Sequence, residues 1–381
     1  MKKTGFLILL LVFVLFGYSQ KNVEAQKNNS AQKNDSINSV SKFLKSVVPY
    51  GTFEYAFGGN RKGTAVVEII PRIGLQGKWF FDESDRYCFF TRAEVGLHLV
   101  SRDDYIEISS DPGATYSKVN QTFYTRQGYI GIGTPFGSIS IGKQWGVHYT
   151  LAGNVDNMYM FGANAIGVYN AGTDGGPSGT GRANQAVKYE LNKGNYYLGL
   201  QGQFRNATSN DRKFADAIAA ATSYDFNGLK IGFSYAKVFD GVDSVTHGEA
   251  KINDEMIAGF IGFDKKNFHF AVIGQFFNNH EYTDLKYFYK GYGIEYNLKI
   301  NFGKQKRWSF VNNVSFMAPL KSEGLSYYSN WYAFEIARRF SLNTVLFAGF
   351  KIDGSTMSDG SKSDMHTLAV GFYYNFNYPV P

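Results

Sequence analysis

Cysteine, proline and long apolar runs are scarce in this chain of 381 residues, which has one cysteine and 8 prolines. Because Cys88 is the sole cysteine, no disulfide can form within the chain and other interactions must stabilise it. After residue 19 no apolar run approaches the roughly 18 residues that a transmembrane helix needs. With a mean hydropathy of −0.26, these shortages exclude a helical membrane protein.

Motifs of enzymes and of nucleotide-binding proteins are also missing. The chain contains neither G-x-S-x-G nor H-E-x-x-H, and its 6 histidines lack metal-ligand spacing. The net charge of +7 is spread among many segments, and no basic run accompanies a nucleic-acid-binding motif. We therefore expect no catalytic activity, no cofactor, no metal and no nucleic-acid partner.

The N-terminus predicts export. Lys2 and Lys3 precede an apolar run from Phe6 to Phe16, and the small residues Gly17 and Ser19 follow it. This is the pattern of a signal peptide over residues 1–19 that is cleaved after export, because the run is too short to span a bilayer. Residues 20–45 form a polar, repetitive segment that we interpret as a periplasmic tail, in which a few apolar residues at helical spacing could form a short helix.

Glycine and aromatic residues are abundant, with 42 glycines and 17% Phe, Trp and Tyr. From residue 46 onward apolar residues recur with a period of two, which predicts strands joined by tight turns. We predict 16 strands, at residues 46–57, 66–80, 86–100, 121–134, 137–144, 183–191, 195–206, 212–226, 228–239, 253–264, 266–277, 284–299, 306–319, 327–340, 342–353 and 364–376.

The alternation is clearest in two strands. Tyr292, Ile294, Tyr296, Leu298 and Ile300 share one face, opposite glycine, glutamate, asparagine and lysine. The last strand alternates in the same way between residues 368 and 376. A soluble β-sandwich and a membrane β-barrel both accept this pattern, because they differ only in which face meets water.

Connection lengths favour the barrel. Six tight turns alternate with long connections, which we place after predicted strands one, three, five, nine, eleven, thirteen and fifteen. Long loops on one rim and short turns on the other are typical of outer-membrane barrels. The longest connection, at about residues 145–181, is too apolar for a loop in solvent, so we predict that it folds inward and narrows a pore.

Four segments match motifs of one protein family. Gly142 to Tyr149 reads Gly-Lys-Gln-Trp-Gly-Val-His-Tyr, and Asp156 to Gly162 is an acidic segment that ends in Phe-Gly. Pro71 to Gly77 contains Arg-x-Gly-x-x-Gly, and Gly181 to Tyr189 matches the start of a sixth strand. In these motifs the chain resembles the trimeric general-diffusion porins of Gram-negative outer membranes.

The resemblance implies an all-β fold, a 16-stranded antiparallel transmembrane β-barrel over residues 46–381 with an inward-folded constriction loop. It also implies a homotrimer that contacts outer-membrane lipid and lipopolysaccharide and lets small hydrophilic solutes and ions diffuse. Gly371, Tyr374 and Phe376 match the assembly signal that the family's last strand presents to the barrel-insertion machinery. Met160 and Thr52 stand where the family has a second constriction acid and a basic residue.

Charged residues with lumen parity suggest the constriction itself. We predict that Arg72, Lys143 and Arg182 line one wall and that Asp156 on the loop faces them, with a weak anion preference as the result. The alternation of its strand places Lys143 on the outer face together with neighbouring isoleucines. Only a bulge or the end of the strand would turn its side chain inward.

Parity within strands assigns the remaining charges. If the second strand is continuous, Arg72 faces the lumen. The outer face then carries Val67, Ile69, Ile73 and Leu75. Three further charged residues are also expected to face the lumen but belong to none of the family motifs. We interpret them as generic lumen charges: Arg92, Glu94 and Arg126.

Three alternatives remain at this point. A substrate-specific channel for phosphate or another anion would use the lumen arginines as a ladder. A secreted β-rich adhesin or interaction protein would have the same export signal and alternation. A barrel hydrolase, with its catalytic residues on separate strands, is not excluded by the sequence.

Overall fold

A computed structural model describes residues 47–69, 71–81, 84–100, 105–106, 116–117, 122–204, 214–239 and 253–377. The predicted signal peptide of residues 1–19 and the predicted polar segment of residues 20–45 lie outside these ranges. Among the residues that are described, no helix has the length and apolar character to cross a membrane.

Strands dominate the described residues, and each of the 16 predicted strands overlaps an observed one. Their bounds are β1 Val47–Asn60, β2 Gly63–Glu68, β3 Arg72–Phe80, β4 Cys88–Leu97, β5 Tyr105–Ile106, β6 Tyr116–Ser117, β7 Phe123–Thr134, β8 Gly137–Trp145, β9 Arg182–Lys193, β10 Tyr196–Gln203, β11 Ala217–Phe226, β12 Leu229–Val238, β13 Glu255–Lys265, β14 Phe268–Tyr282, β15 Phe288–Phe302, β16 Trp308–Pro319, β17 Ser329–Arg339, β18 Thr344–Asp353 and β19 Thr367–Asn377.

The sheet is closed. Every neighbouring pair is antiparallel, and β1 pairs with β19 in a register that joins Tyr50 to Asn377 and Gly59 to Leu368. A closed sheet has no edge, so its backbone N–H and C=O groups find partners without water. Closure excludes the β-sandwich that the sequence left open.

Two of the strands are halves of one barrel strand. β2 pairs with the segment of β1 from Tyr55 to Asn60, and β3 pairs with the segment from Val47 to Thr52. The interruption between them contains Pro71, which has no N–H to donate to a ladder. The large sheet of 17 strands is therefore a 16-stranded barrel, as predicted.

This interruption corrects part of the predicted alternation. Val67 and Ile69 were expected on the outer face with Ile73, but both line the lumen, as does Arg72. Ile69 and Arg72 are an odd number of residues apart, so an uninterrupted strand could not turn both inward. The break at Pro71 absorbs the extra residue.

The two faces of the barrel have opposite character. On β15, Ile294 is 49% exposed on the outside, whereas the adjacent Glu295 is fully buried on the inside. Large apolar side chains are exposed in the same way around the described wall, for example Phe57, Ile130, Ile141, Phe233, Phe276 and Phe372. A surface of this kind requires lipid, because water would penalise so much exposed apolar area.

The predicted segregation of loops and turns is largely confirmed, with two corrections. The connection after β1 is a turn of residues 61–62, and the connection after β14 spans residues 283–287. Both were expected to be long. β1 and β14 extend further than the pattern suggested, to Asn60 and Tyr282, so less chain remains for the connections that follow them.

The connection between β8 and β9 folds inward, as predicted. It contains the short helix α1 at Tyr149–Ala152 and a 3-10 turn at Asn170–Gly172. Other short elements lie in connections: 3-10 turns at Lys304–Lys306 and Lys321–Glu323, and the β5–β6 hairpin between β4 and β7. We name residues 146–181 the inward loop.

A depth-dependent arginine substitution tests the orientation of the wall. Ile294 lies near the middle of β15 and Ile300 near its end, both on the outer face. We expect Ile294→Arg to lower the free energy of unfolding by about 2–4 kcal/mol and Ile300→Arg by about 1 kcal/mol or less, because the cost of a charge falls towards the interface.

Reversible urea unfolding in lipid vesicles measures both values. Equal costs at the two positions would contradict a membrane-spanning β15.

Candidate functional site

The inward loop packs against a wall of small side chains. Val147, Leu151, Val155, Ile166 and Val168 of the loop are fully buried in one apolar cluster. The wall contributes alanines at inward positions, which are Ala219, Ala221, Ala236, Ala258 and Ala271. Because these side chains are short, the loop can approach the backbone of β11–β14 and fill that side of the barrel.

Two glycines of the wall are required by the same close approach. A Cβ at Gly232 would lie 3.0 Å from the Cδ1 of Leu151, and a Cβ at Gly349 would lie 3.2 Å from the Cε2 of Phe161. Both distances are tighter than ordinary van der Waals contact, so a larger residue at either position would require Leu151 or Phe161 to shift by a few tenths of an ångström.

The middle of the loop forms a second cluster further along the wall, against β1, β17, β18 and β19. Met160 and Phe161 are buried against alanines and Phe347. Tyr159 stacks on Phe347, with ring centroids 5.2 Å apart and an interplanar angle of 11°. Because the loop starts at the end of β8 and is held as far as β19, it crosses the lumen and then follows the wall.

Carboxylates of the wall bind the backbone of the loop. Glu295 accepts hydrogen bonds from the N–H groups of Ala163 at 2.9 Å and Ala165 at 2.6 Å, and from the side chain of Asn313 at 2.8 Å. Glu335 accepts from the N–H of Tyr159 at 2.9 Å. These bonds satisfy backbone donors that the packed loop has removed from water.

His148 anchors the start of the loop. Its Nε2 donates to the carbonyl oxygen of Ile166 at 2.7 Å, so its Nδ1 accepts from the hydroxyl of Ser234 at 2.8 Å. Burial lowers the pKa of His148 to about 4, although the bond to Ile166 opposes this shift. The imidazole is therefore neutral at physiological pH and joins two parts of the loop to β12.

A passage remains beside the loop. One cavity of about 1260 Å³ is lined by Lys62 at the loop-bearing rim and by Leu342 at the opposite rim. Asp156 and Tyr169 of the inward loop line the same cavity. Among its charged lining residues, eight are lysine or arginine and seven are aspartate or glutamate, so the lumen is polar and nearly balanced in charge.

The predicted constriction residues fall into two groups. Arg72, Arg182 and Asp156 line the cavity. Neither Arg72 nor Asp156 has an ion pair within 4.0 Å among the residues that the structure describes. Lys143 is turned inward by a register shift between Gly142 and Gln144, which is the irregularity that its parity required.

Lys143 and Arg182 share one acid that the sequence did not single out. Asp174 of the inward loop lies 2.9 Å from the Nζ of Lys143 and 3.2 Å from the Nε of Arg182, both measured to Oδ2. Burial would raise the pKa of Asp174, but Arg182 and then Lys143 outweigh burial and hold that pKa below its usual range. Two cations are thus balanced by one ionised carboxylate.

Arg92, Glu94 and Arg126, the three generic lumen charges, form a second cluster that also consists of two cations and one carboxylate. Glu94 accepts from the Nε of Arg126 at 2.7 Å and lies 3.8 Å from the Nη2 of Arg92. Tyr50 joins them, because it donates to Glu94 at 2.9 Å and accepts from Arg92 at 2.6 Å. Here too, one carboxylate stands against two guanidinium groups.

The predicted assembly signal lies at the closing seam. Gly371 is paired with Ala56 of β1, Tyr374 with Phe53, and Phe376 with Gly51. Phe53 and Phe376 stack on the outside with ring centroids 6.4 Å apart. This placement leaves their role in assembly a prediction.

Sequence reasoning missed Asp174, Glu295 and Glu335. The inward parity of Glu295 was visible in β15, but nothing in the pattern indicated that its partner is the backbone of a loop 130 residues away. Asp174 lies between glycines and polar residues, a context without a recognisable motif.

The fold and the lumen define a class. A closed barrel with an apolar outside, a charged inside and a loop that narrows the passage is an outer-membrane channel. The chain belongs to the Gram-negative porin family, whose model matches residues 51–380. The family expected from the motifs is confirmed.

Solved structures agree on the fold. OmpF of Salmonella typhi in complex with daunomycin has a TM-score of 0.64 at 13% identity, covering 87% of this chain and 97% of that chain. An anion-selective porin from Comamonas acidovorans has a TM-score of 0.63 at 13% identity, with coverages of 87% and 99%. The trimer form of OmpT from Vibrio cholerae has a TM-score of 0.60 at 11% identity, with coverages of 87% and 99%. No curated protein matches the chain.

Removing the carboxylate of Glu295 tests the anchoring of the loop. Glu295→Ala leaves two backbone N–H groups and one amide without their acceptor, so we expect unfolding to become easier by at least about 2 kcal/mol. We also expect new fluctuations of the open-channel current. Glu295→Gln keeps one accepting oxygen and should lose less.

Thermal unfolding, followed by the shift of the folded band on a gel, together with single-channel recording measures both effects. Glu323→Ala, in an exposed 3-10 turn, is the control. The anchoring role is wrong if Glu295→Ala behaves like this control.

Proposed function

We propose that the protein is an outer-membrane porin through which small hydrophilic solutes and ions diffuse passively, with a weak preference for anions and without catalysis. The observation that carries the proposal is the single cavity that reaches both rims past the inward loop. Its polar lining suits hydrated solutes, and the loop sets the upper limit on their size.

The charge arrangement supports the anion preference. Two clusters each hold two cations against one carboxylate, centred on Asp174 and on Glu94. Arg72 adds a further cation, which Asp156 on the loop opposes. The excess is small, so anions are favoured without cations being excluded.

Opposed charges also create an electric field across the constriction. Arg72 projects from β3, whereas Asp156 belongs to the inward loop that crosses the lumen. A field between these two sides orients dipolar solutes as they pass and disfavours large apolar ones. The porin from Comamonas acidovorans is described as anion-selective, which agrees with the direction of the proposed preference.

A dedicated anion channel is the less favoured candidate. Such a channel needs a series of free cations along the path, each able to bind the solute and release it. Here Lys143, Arg92, Arg126 and Arg182 are all engaged with Asp174 or Glu94. We therefore place general diffusion first.

Charge removal at the constriction tests the preference. A unit charge about 8 Å away interacts with a passing ion by about 0.5 kcal/mol in water, which is a factor of about two in permeability. We expect Arg72→Ala and Arg182→Ala each to lower the anion-to-cation permeability ratio by about that factor. Asp156→Asn should raise it by a similar factor.

Reversal potentials of single channels in a KCl gradient give these ratios. Lys266→Ala removes the same charge from an exposed turn outside the lumen and should change nothing. Strong cation selectivity that survives both arginine substitutions would overturn the assignment.

We further propose that the protein is a homotrimer inserted by the barrel-assembly machinery and surrounded by lipid and lipopolysaccharide. The expected result is a particle of three chains before heating and of one chain afterwards, as measured by light scattering in mild detergent. The trimer form of OmpT from Vibrio cholerae motivates this stoichiometry. A single chain before heating would contradict it.

A further inference from the structure

We infer that the constriction carries a site for planar aromatic carboxylates, which pass through the pore with a transient residence that aliphatic acids of equal charge and size do not have. The site depends on the proposed function, because only an open passage delivers solutes to it. It combines an aromatic surface with guanidinium groups on one stretch of the lumen.

The aromatic surface consists of Trp145, Tyr149 and Tyr169. The rings of Trp145 and Tyr149 are stacked with centroids 3.7 Å apart and an interplanar angle of 11°. Tyr169 stands at 72° to Trp145, with its centroid 6.4 Å away. All three are only partly buried, and all three line the cavity. Each ring therefore keeps part of its surface exposed, and the three rings together border the passage.

Guanidinium groups lie beside these rings. The Cζ of Arg182 is 5.2 Å from the centroid of Trp145. Asp156 acts electrostatically on the hydroxyls of Tyr149 and Tyr169, and Arg182 and Arg126 act on both hydroxyls in the opposite sense. Arg72 also acts on that of Tyr149. An aromatic ring that approaches Tyr149 therefore meets three guanidinium groups and one carboxylate, an excess of positive charge.

The cations are not fully compensated. The Nη1 atoms of Arg126 and Arg182 have no hydrogen-bond partner among the described residues. Each of these arginines shares its acid with another base, and Arg72 has no acid within ion-pair distance in the described chain. A carboxylate in the passage would reduce this excess of positive charge.

Only one class of small solute uses both features. Inorganic anions gain from the arginines but cannot stack, and neutral rings stack without gaining from the charge. Aromatic cations are repelled by the three guanidinium groups. A planar aromatic carboxylate stacks its ring against the tyrosine and tryptophan surface while its charge lies near the arginines.

Competition between two matched acids tests the site. Potassium benzoate and potassium cyclohexanecarboxylate carry the same charge and have similar volumes, but only benzoate has an aromatic face. Each is added to wild-type channels in planar bilayers, and the concentration that halves the KCl current is measured. We expect benzoate to need a concentration about five-fold lower, the middle of the range for aromatic stacking. Benzylammonium chloride should not block at either concentration.

Substitutions at Tyr149 and Arg72 locate the effect. Tyr149→Leu should bring the ratio of the two half-blocking concentrations to about one, whereas Tyr149→Phe keeps it. Tyr282→Leu, at another lumen aromatic that lies on Lys286, is the matched control and should also keep the ratio. Arg72→Ala should raise both half-blocking concentrations by about two-fold at an unchanged ratio.

The outcomes separate this site from the general function. If the wild-type protein conducts KCl but both acids block equally, the aromatic site is refuted and the porin function stands. A ratio that survives Tyr149→Leu refutes it as well. If Tyr149→Leu fails to insert into the bilayer, the proposal is decided by the ratio of the two half-blocking concentrations in the wild-type protein and in Arg72→Ala. Absence of any KCl conductance refutes the porin function itself.

Discussion

Closure of the sheet between β1 and β19 is the constraint on which the rest of the structure depends. In lipid no water pairs with a free strand edge, so the chain must return to its first strand. Once the ring is closed, the period of two becomes a division between an outside and an inside. Apolar side chains such as Ile294 then face lipid, and residues such as Glu295 face the lumen.

The inward loop removes its own backbone from the water of the lumen, so its N–H groups need hydrogen-bond acceptors there. The carboxylates of Glu295 and Glu335 satisfy that backbone, while alanines and glycines on the same wall provide the space for it. Asp174 and Glu94 instead balance cations. Acidic residues therefore have two separate tasks here, positioning the loop and adjusting the charge of the passage, and only the second bears directly on ion preference.

Much of this architecture could be predicted from the sequence, and the failures have local causes. The strand number and the inward loop followed from hydrophobic period and connection length. The outward placement of Val67 and Ile69 was wrong because Pro71 interrupts a strand that the pattern treated as continuous. The bulge that turns Lys143 inward could be predicted as a requirement. The strand alternation places Lys143 outside, whereas its family motif places it at the constriction.

The sequence by itself determined which residues face lipid and which face the lumen in most strands, because side-chain alternation is a property of adjacent residues. Tertiary structure decided which lumen groups meet. Asp174 reaches Lys143 and Arg182, and Glu295 reaches Ala163 and Ala165, only because the inward loop crosses the closed barrel. Such pairings depend on the path of the chain through space, and a periodicity of two contains no information about that path.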